Sequence, residues 1–63
     1  MKISMAAARV NANMTQQQAA DSLGVAKGTY ASYENGKTQP TLEMAEKISS
    51  LFGLSLDMIK FKH

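Results

Sequence analysis

The sequence predicts an all-α domain of five short helices, and three observations carry that expectation. Apolar residues recur with the helical period, and alternation of period 2 is nowhere sustained. Helix-stopping signals at Asn11 to Asn13, Gly24, Asn35-Gly36 and Gly53 cut the chain into helix-sized pieces, with Thr15, Thr41 and Ser55 placed to cap the pieces that follow. No cysteine is present among the 63 residues, so stability has to come from helix packing rather than disulfides or thiolate-bound metal.

The first helix, about Ser4 to Asn11, places Met5, Ala8 and Ala12 on one stripe with Arg9 beside them. Thr15 and Gln18 form a capping box for the second helix, each side chain satisfying a backbone N–H of the other. That helix stops at Gly24, a residue suited to a turn with φ > 0, and the third runs from near Ala26 to Asn35-Gly36. Over Gln16 to Asn35 the pattern fits two helices crossing over a tight turn, with Ala20 at the closest approach. Ala19, Leu23, Val25, Tyr30 and Tyr33 then face inward, the two tyrosines packing in the core with their hydroxyls reaching the rim.

Pro40 bars the α conformation at Gln39, and Thr41 caps a fourth helix whose Met44, Ala45, Ile48, Leu51 and Phe52 form a core-facing stripe. Gly53 ends it. Ser55 is expected to cap a last short helical segment, in which Leu56, Ile59 and Phe61 need a surface to cover. Neither repeats nor linkers interrupt the chain, so residues 1–63 are expected to form a single domain.

A chain this short has little room for an enclosed active site, and no nucleophile, base pair or metal-ligand cluster is apparent, so an enzyme is not expected. Glu43, Glu46 and Asp57 fall in the opening turns of helices, where the dipole accounts for them without a metal, and no cofactor is implied. No apolar run approaches the ~20 residues that span a bilayer, and the first ten residues lack the apolar stretch of a secretory signal. A cytoplasmic protein is expected. The formal charge of +2 leans only weakly toward an anionic partner, and the seven basic residues are scattered.

The runs MTQQQAADSLGV and GTYASYENGKTQP, followed by the apolar fourth helix and LFGLSLDMI, resemble the helix-turn-helix domain of the phage lambda Cro and repressor family. The resemblance extends from about Met5 to Ile59. It implies a compact five-helix bundle that binds double-stranded operator DNA, usually as a two-fold dimer, and in that setting the third helix enters a major groove.

Candidate contacts follow. Lys27, Gly28, Thr29 and Ser32 lie on the outward side of the third helix and are the expected base readers. Gln16 at the start of the second helix, with Asn35 and Lys37 beyond the third, are the expected phosphate contacts. The chain departs from the family at two places: Gly28 stands where a longer polar side chain is usual, and Ala26 stands where Ser or Thr caps the helix. Some specificity is therefore expected from DNA shape, water bridges or a partner subunit. The resemblance also pairs Arg9 with Glu34, giving an internal salt bridge, the alternative for Arg9 being a phosphate contact. Leu56, Met58 and Phe61 are the candidate dimer seam, with the dimer formed in solution or only on DNA.

The function this implies is a sequence-specific transcriptional regulator of prophage or mobile-element type, with no small-molecule ligand and no membrane association. The competing reading is a protein-interaction module, an antitoxin-like or modulator protein that uses the same scaffold to bind another regulator. Small residues on the third helix and an apolar C-terminal part keep that reading open.

Overall fold

The computed structural model describes residues 2–62. It contains strand β1 (Ile3–Ser4), helices α1 (Met5–Asn11), α2 (Gln16–Leu23), α3 (Lys27–Asn35) and α4 (Leu42–Phe52), a three-residue 3-10 turn (Leu56–Met58) and strand β2 (Ile59–Lys60). The fold is thus mostly helical, but with four α-helices rather than the expected five.

The expected fifth helix breaks down for a local reason and a long-range one. Ser55 does not cap it: its hydroxyl donates to the Asp57 carboxylate at 2.8 Å instead of accepting from the backbone. Ile59 is already extended, at φ −102° and ψ 128°, and pairs in parallel with Ile3 while Lys60 pairs with Ser4. Pairing with β1 gives the Ile59 backbone partners and sets its side chain in the core beside α1. Two-residue strands have no periodicity to read, so only the fold reveals them.

The other boundaries follow their capping chemistry. Ser4 accepts from the Ala7 N–H at 3.1 Å and starts α1 one residue later than its own position. At α2 the capping box is complete, with the Gln18 N–H donating to Thr15 Oγ1 at 3.0 Å and the Thr15 N–H to Gln18 Oε1 at 2.8 Å. Thr41 accepts from the Met44 N–H at 3.1 Å and opens α4. Gly24 closes α2 with φ 74°, and its turn delivers the chain directly into α3.

One core joins all four helices. Met5 and Ala8 of α1, Ala19, Ala20 and Leu23 of α2, Tyr30 of α3, Ile48 and Phe52 of α4, and Ile59 of β2 are buried together. Ala20 is fully excluded from solvent where α2 crosses α3, and Val25 and Tyr33 pack against the same core from its edge. A larger residue at position 20 would push the two helices apart at a cost of roughly 1–3 kcal/mol.

Candidate nucleic-acid interface

The α2–turn–α3 unit is fastened from below by a polar knot at its edge. Arg9 of α1 donates from Nε to Glu34 Oε2 at 2.7 Å, and the pair is nearly buried, with side-chain exposures of 16% and 8%. A second guanidinium nitrogen, Nη1, donates to the Met14 carbonyl at 2.9 Å in the α1–α2 connection. The other carboxylate oxygen of Glu34 accepts from the Gln16 amide at 3.0 Å. Three consecutive elements are therefore tied at one carboxylate: the last turn of α1, the first residue of α2 and the end of α3.

The electrostatics agree with the geometry. For Glu34, burial alone would raise the pKa, but the hydrogen bond from Arg9, with the nearby Tyr30 hydroxyl and the hydrogen bond from Gln16, outweighs it and holds the carboxyl below its ordinary value. The bond to Glu34 raises the pKa of Arg9 further. The Tyr30 hydroxyl is buried beside this pair without a hydrogen-bond partner of good geometry, and burial, followed by the neighbouring carboxylate, pushes its pKa up. Sequence reading singled out Arg9 and Glu34, but it missed the Met14 carbonyl and the Tyr30 hydroxyl as members of the same cluster. The spacing from Tyr30 to Glu34, one helical turn, was the available signal.

Gln16 was expected to offer both its amide and its backbone to a phosphate. In the structure one amide N–H is held by Glu34, which leaves the second amide N–H and the unpaired backbone groups at the start of α2 for an anion. Asn35 and Lys37 sit together beyond α3: the Lys37 N–H donates to Asn35 Oδ1 at 2.9 Å, a local turn that leaves the Asn35 amide N–H groups and the Lys37 ammonium outward. Both residues are exposed.

The outer side of α3 carries Lys27, Gly28 and Thr29, all exposed, and none makes a side-chain hydrogen bond among the described residues. Ser32 differs. It is half-buried, and its hydroxyl donates back to the Gly28 carbonyl at 3.0 Å, so its single proton is spent within the helix. In this rotamer the Ser32 oxygen faces outward as an acceptor, and donating to a base would require the hydroxyl to leave the Gly28 carbonyl. Ala26 occupies the cap position of α3 with no side-chain bond to the first turn, so the helix end bearing the exposed residues is the least supported of the main helix starts.

The residues expected at a dimer seam are not equally available. Met58 is 41% exposed, whereas Leu56 is half-buried and Phe61 packs against the core. Leu42 and Val10, at 68% and 61%, expose more apolar surface than any of the three. The tail is held to the α3–α4 loop by the Gln39 amide, which donates to the Lys62 carbonyl. No described helix is long and apolar enough to cross a membrane.

Comparison with known proteins bears on this surface. The helix-turn-helix family model matches residues 5–59. The chain is 38% identical over 48 residues to the cryptic phage CTXphi transcriptional repressor RstR of Vibrio cholerae, a match covering 76% of this chain and 43% of the repressor. It is 37% identical over 51 residues to YonR, an SPbeta prophage-derived uncharacterized HTH-type transcriptional regulator of Bacillus subtilis, covering 81% of this chain and 47% of that protein. It is 43% identical over 49 residues to the HTH-type transcriptional regulator AnsR of Bacillus subtilis, covering 78% of this chain and 42% of AnsR. The aligned segment thus spans less than half the length of each of these three relatives. No solved structure gives a significant match.

Proposed function

Because the chain belongs to the helix-turn-helix family of the phage lambda Cro and repressor type, we propose that it is a sequence-specific transcriptional regulator that binds double-stranded operator DNA with α3 in a major groove. The observation that carries this reading is the two-sided state of α3. Tyr30 and Glu34 fix its inner side, while Lys27, Gly28 and Thr29 stand exposed on the other, and neither the Lys27 nor the Thr29 side chain makes a hydrogen bond among the described residues.

In this reading Lys27 donates to guanine O6 or N7, and Thr29 supplies a methyl or hydroxyl to a base edge. Ser32 contributes by accepting or by packing. The start of α2 at Gln16, the Asn35 amide and Lys37 grip phosphates and set the register of α3 on the duplex. Two copies, joined through Met58 with Leu56 and Phe61 beside it, present their α3 helices to successive major grooves about 34 Å apart and read a near-palindrome. The prophage-linked relatives support a repressor that acts by occupying its operator. The whole chain acts as one DNA-binding unit, without catalysis, cofactor or small-molecule ligand, and the reading implies a cytoplasmic protein.

The test is anisotropy on duplexes selected from random DNA. Affinity is expected to fall steeply as salt rises; Lys37→Ala weakens all sequences about equally, and Lys27→Ala changes which sequence is preferred. Absence of salt-dependent binding to any duplex, with tight capture of a protein partner, would replace this reading with the interaction-module one.

A further inference from the structure

Gly24, Gly36 and Gly53 each close a helix with positive φ, but they differ at the backbone nitrogen. The Gly24 and Gly53 N–H groups each reach two carbonyls of the preceding turn. The Gly36 N–H reaches none with good geometry among the described residues, and the Ser32 carbonyl one turn back accepts from the Thr38 N–H at 3.3 Å. At most helix ends such a nitrogen would simply meet water. Here it follows an asparagine.

The asparagine side chain carries a carbonyl carbon that the next residue's backbone nitrogen can attack to close a five-membered ring, and a glycine there leaves no Cβ in the way. Asn11 and Asn13 precede Ala12 and Met14, whereas Asn35 precedes Gly36. Asn35 is exposed to water, and its Oδ1 accepts from the Lys37 N–H at 2.9 Å. That bond closes a loop containing the Gly36 nitrogen, keeps the carboxamide folded back along the chain and draws electron density from its carbon. The glycine is not readily exchanged, because at φ 84° any other residue is strained. The stop signal of α3 and the reactive pair are therefore one feature.

We infer that Asn35-Gly36 is a self-modification site whose reaction releases the chain from DNA. The Gly36 nitrogen bonds to the Asn35 side-chain carbonyl carbon and gives up its proton, the carboxamide C–N bond breaks, and ammonia departs to leave a cyclic imide. Water then adds to one of the two ring carbonyls and opens it, giving aspartate or isoaspartate. Ring closure takes Asn35 out of the helical backbone conformation, and the Gly36 N–H gives up no well-formed hydrogen bond when it does. The effect on binding rests on the reading of Asn35 and Lys37 as phosphate contacts. An amide that donates to a phosphate becomes a carboxylate that repels it, two residues from the ammonium whose charge it offsets.

The experiment incubates the folded chain at mildly alkaline pH beside the same chain unfolded in urea. Both are followed by peptide mass mapping, and the folded chain also by anisotropy on a duplex selected with fresh protein. The folded chain is expected to convert at Asn35 over the period in which the unfolded chain does, with Asn11 and Asn13 intact. The converted protein, like Asn35→Asp, is expected to melt cooperatively yet bind the duplex roughly tenfold more weakly. Asn35→Gln, whose amide would have to close a six-membered ring, keeps its own starting affinity throughout. Asn35 intact in the folded chain once the unfolded chain has converted, or converted protein that binds as tightly as fresh, overturns the inference, while salt-dependent binding by fresh protein leaves the DNA reading in place. Fresh protein that selects no duplex overturns both.

Discussion

On its inner side α3 is gripped by three other parts of the molecule, and on its outer side by none. Tyr30 is fully buried, and Glu34 takes hydrogen bonds from Arg9 and Gln16. A turn or less away, Lys27, Gly28 and Thr29 are exposed, and the helix that carries them begins without a side-chain cap. The same nine residues therefore divide by face into those that fix the helix and those left available to a partner. A substitution on the inner face should act through stability, and one on the outer face through recognition alone.

The largest expected effect breaks the inner face. Arg9→Met strands the nearly buried Glu34 carboxylate and frees the Met14 carbonyl, at a cost of roughly 3 kcal/mol. For so small a domain that corresponds to a fall in melting temperature of roughly 12 °C or more. Joint replacement of Arg9 and Glu34 by methionine should recover much of the loss, since no charge is then left unpaired. Weakened DNA binding by Arg9→Met with unchanged melting would instead make Arg9 a phosphate contact and erase the division between the faces.

Much of this division was legible in the residues, and the reasons differ from place to place. Gly24, the Thr15–Gln18 capping box and the Met44 to Phe52 stripe are local signals, and each element they predict is present within about a residue of its expected bounds. The Arg9–Glu34 contact spans 25 positions and came from family resemblance, not from spacing. The β1–β2 pair was hidden because Ile3 and Ile59 lie at opposite ends of the chain and their strands are too short to alternate. The Ser32 hydroxyl's bond to the Gly28 carbonyl was not legible, because sequence reveals the residue type but not where a hydroxyl rotates, and here a carbonyl one turn earlier is within reach.

A smaller effect sharpens the comparison through pH. Glu34 has a folded-state pKa below its ordinary value, so its contribution is fully present above the unfolded carboxyl pKa of about 4.3 and is lost as pH falls through the lower folded value. Tyr30 has its pKa raised, so the neutral form is favoured on folding and stability declines once pH rises past the ordinary tyrosine value of about 10. Melting temperature should therefore fall at both extremes in the wild type. Glu34→Gln should flatten the acid limb, and Lys27→Ala should leave both limbs as they are. An acid limb unchanged by Glu34→Gln would remove that carboxylate from the account of stability.

The central claim, that the outer face of α3 is the surface that meets DNA, is tested most directly by following backbone amide chemical shifts as a selected duplex is added. The largest shifts are expected at Lys27 to Ser32 and at the start of α2 around Gln16, with β1 and β2 little changed. Shifts concentrated at Leu42, Met58 and the strand pair, with Lys27 to Ser32 unmoved, would contradict it.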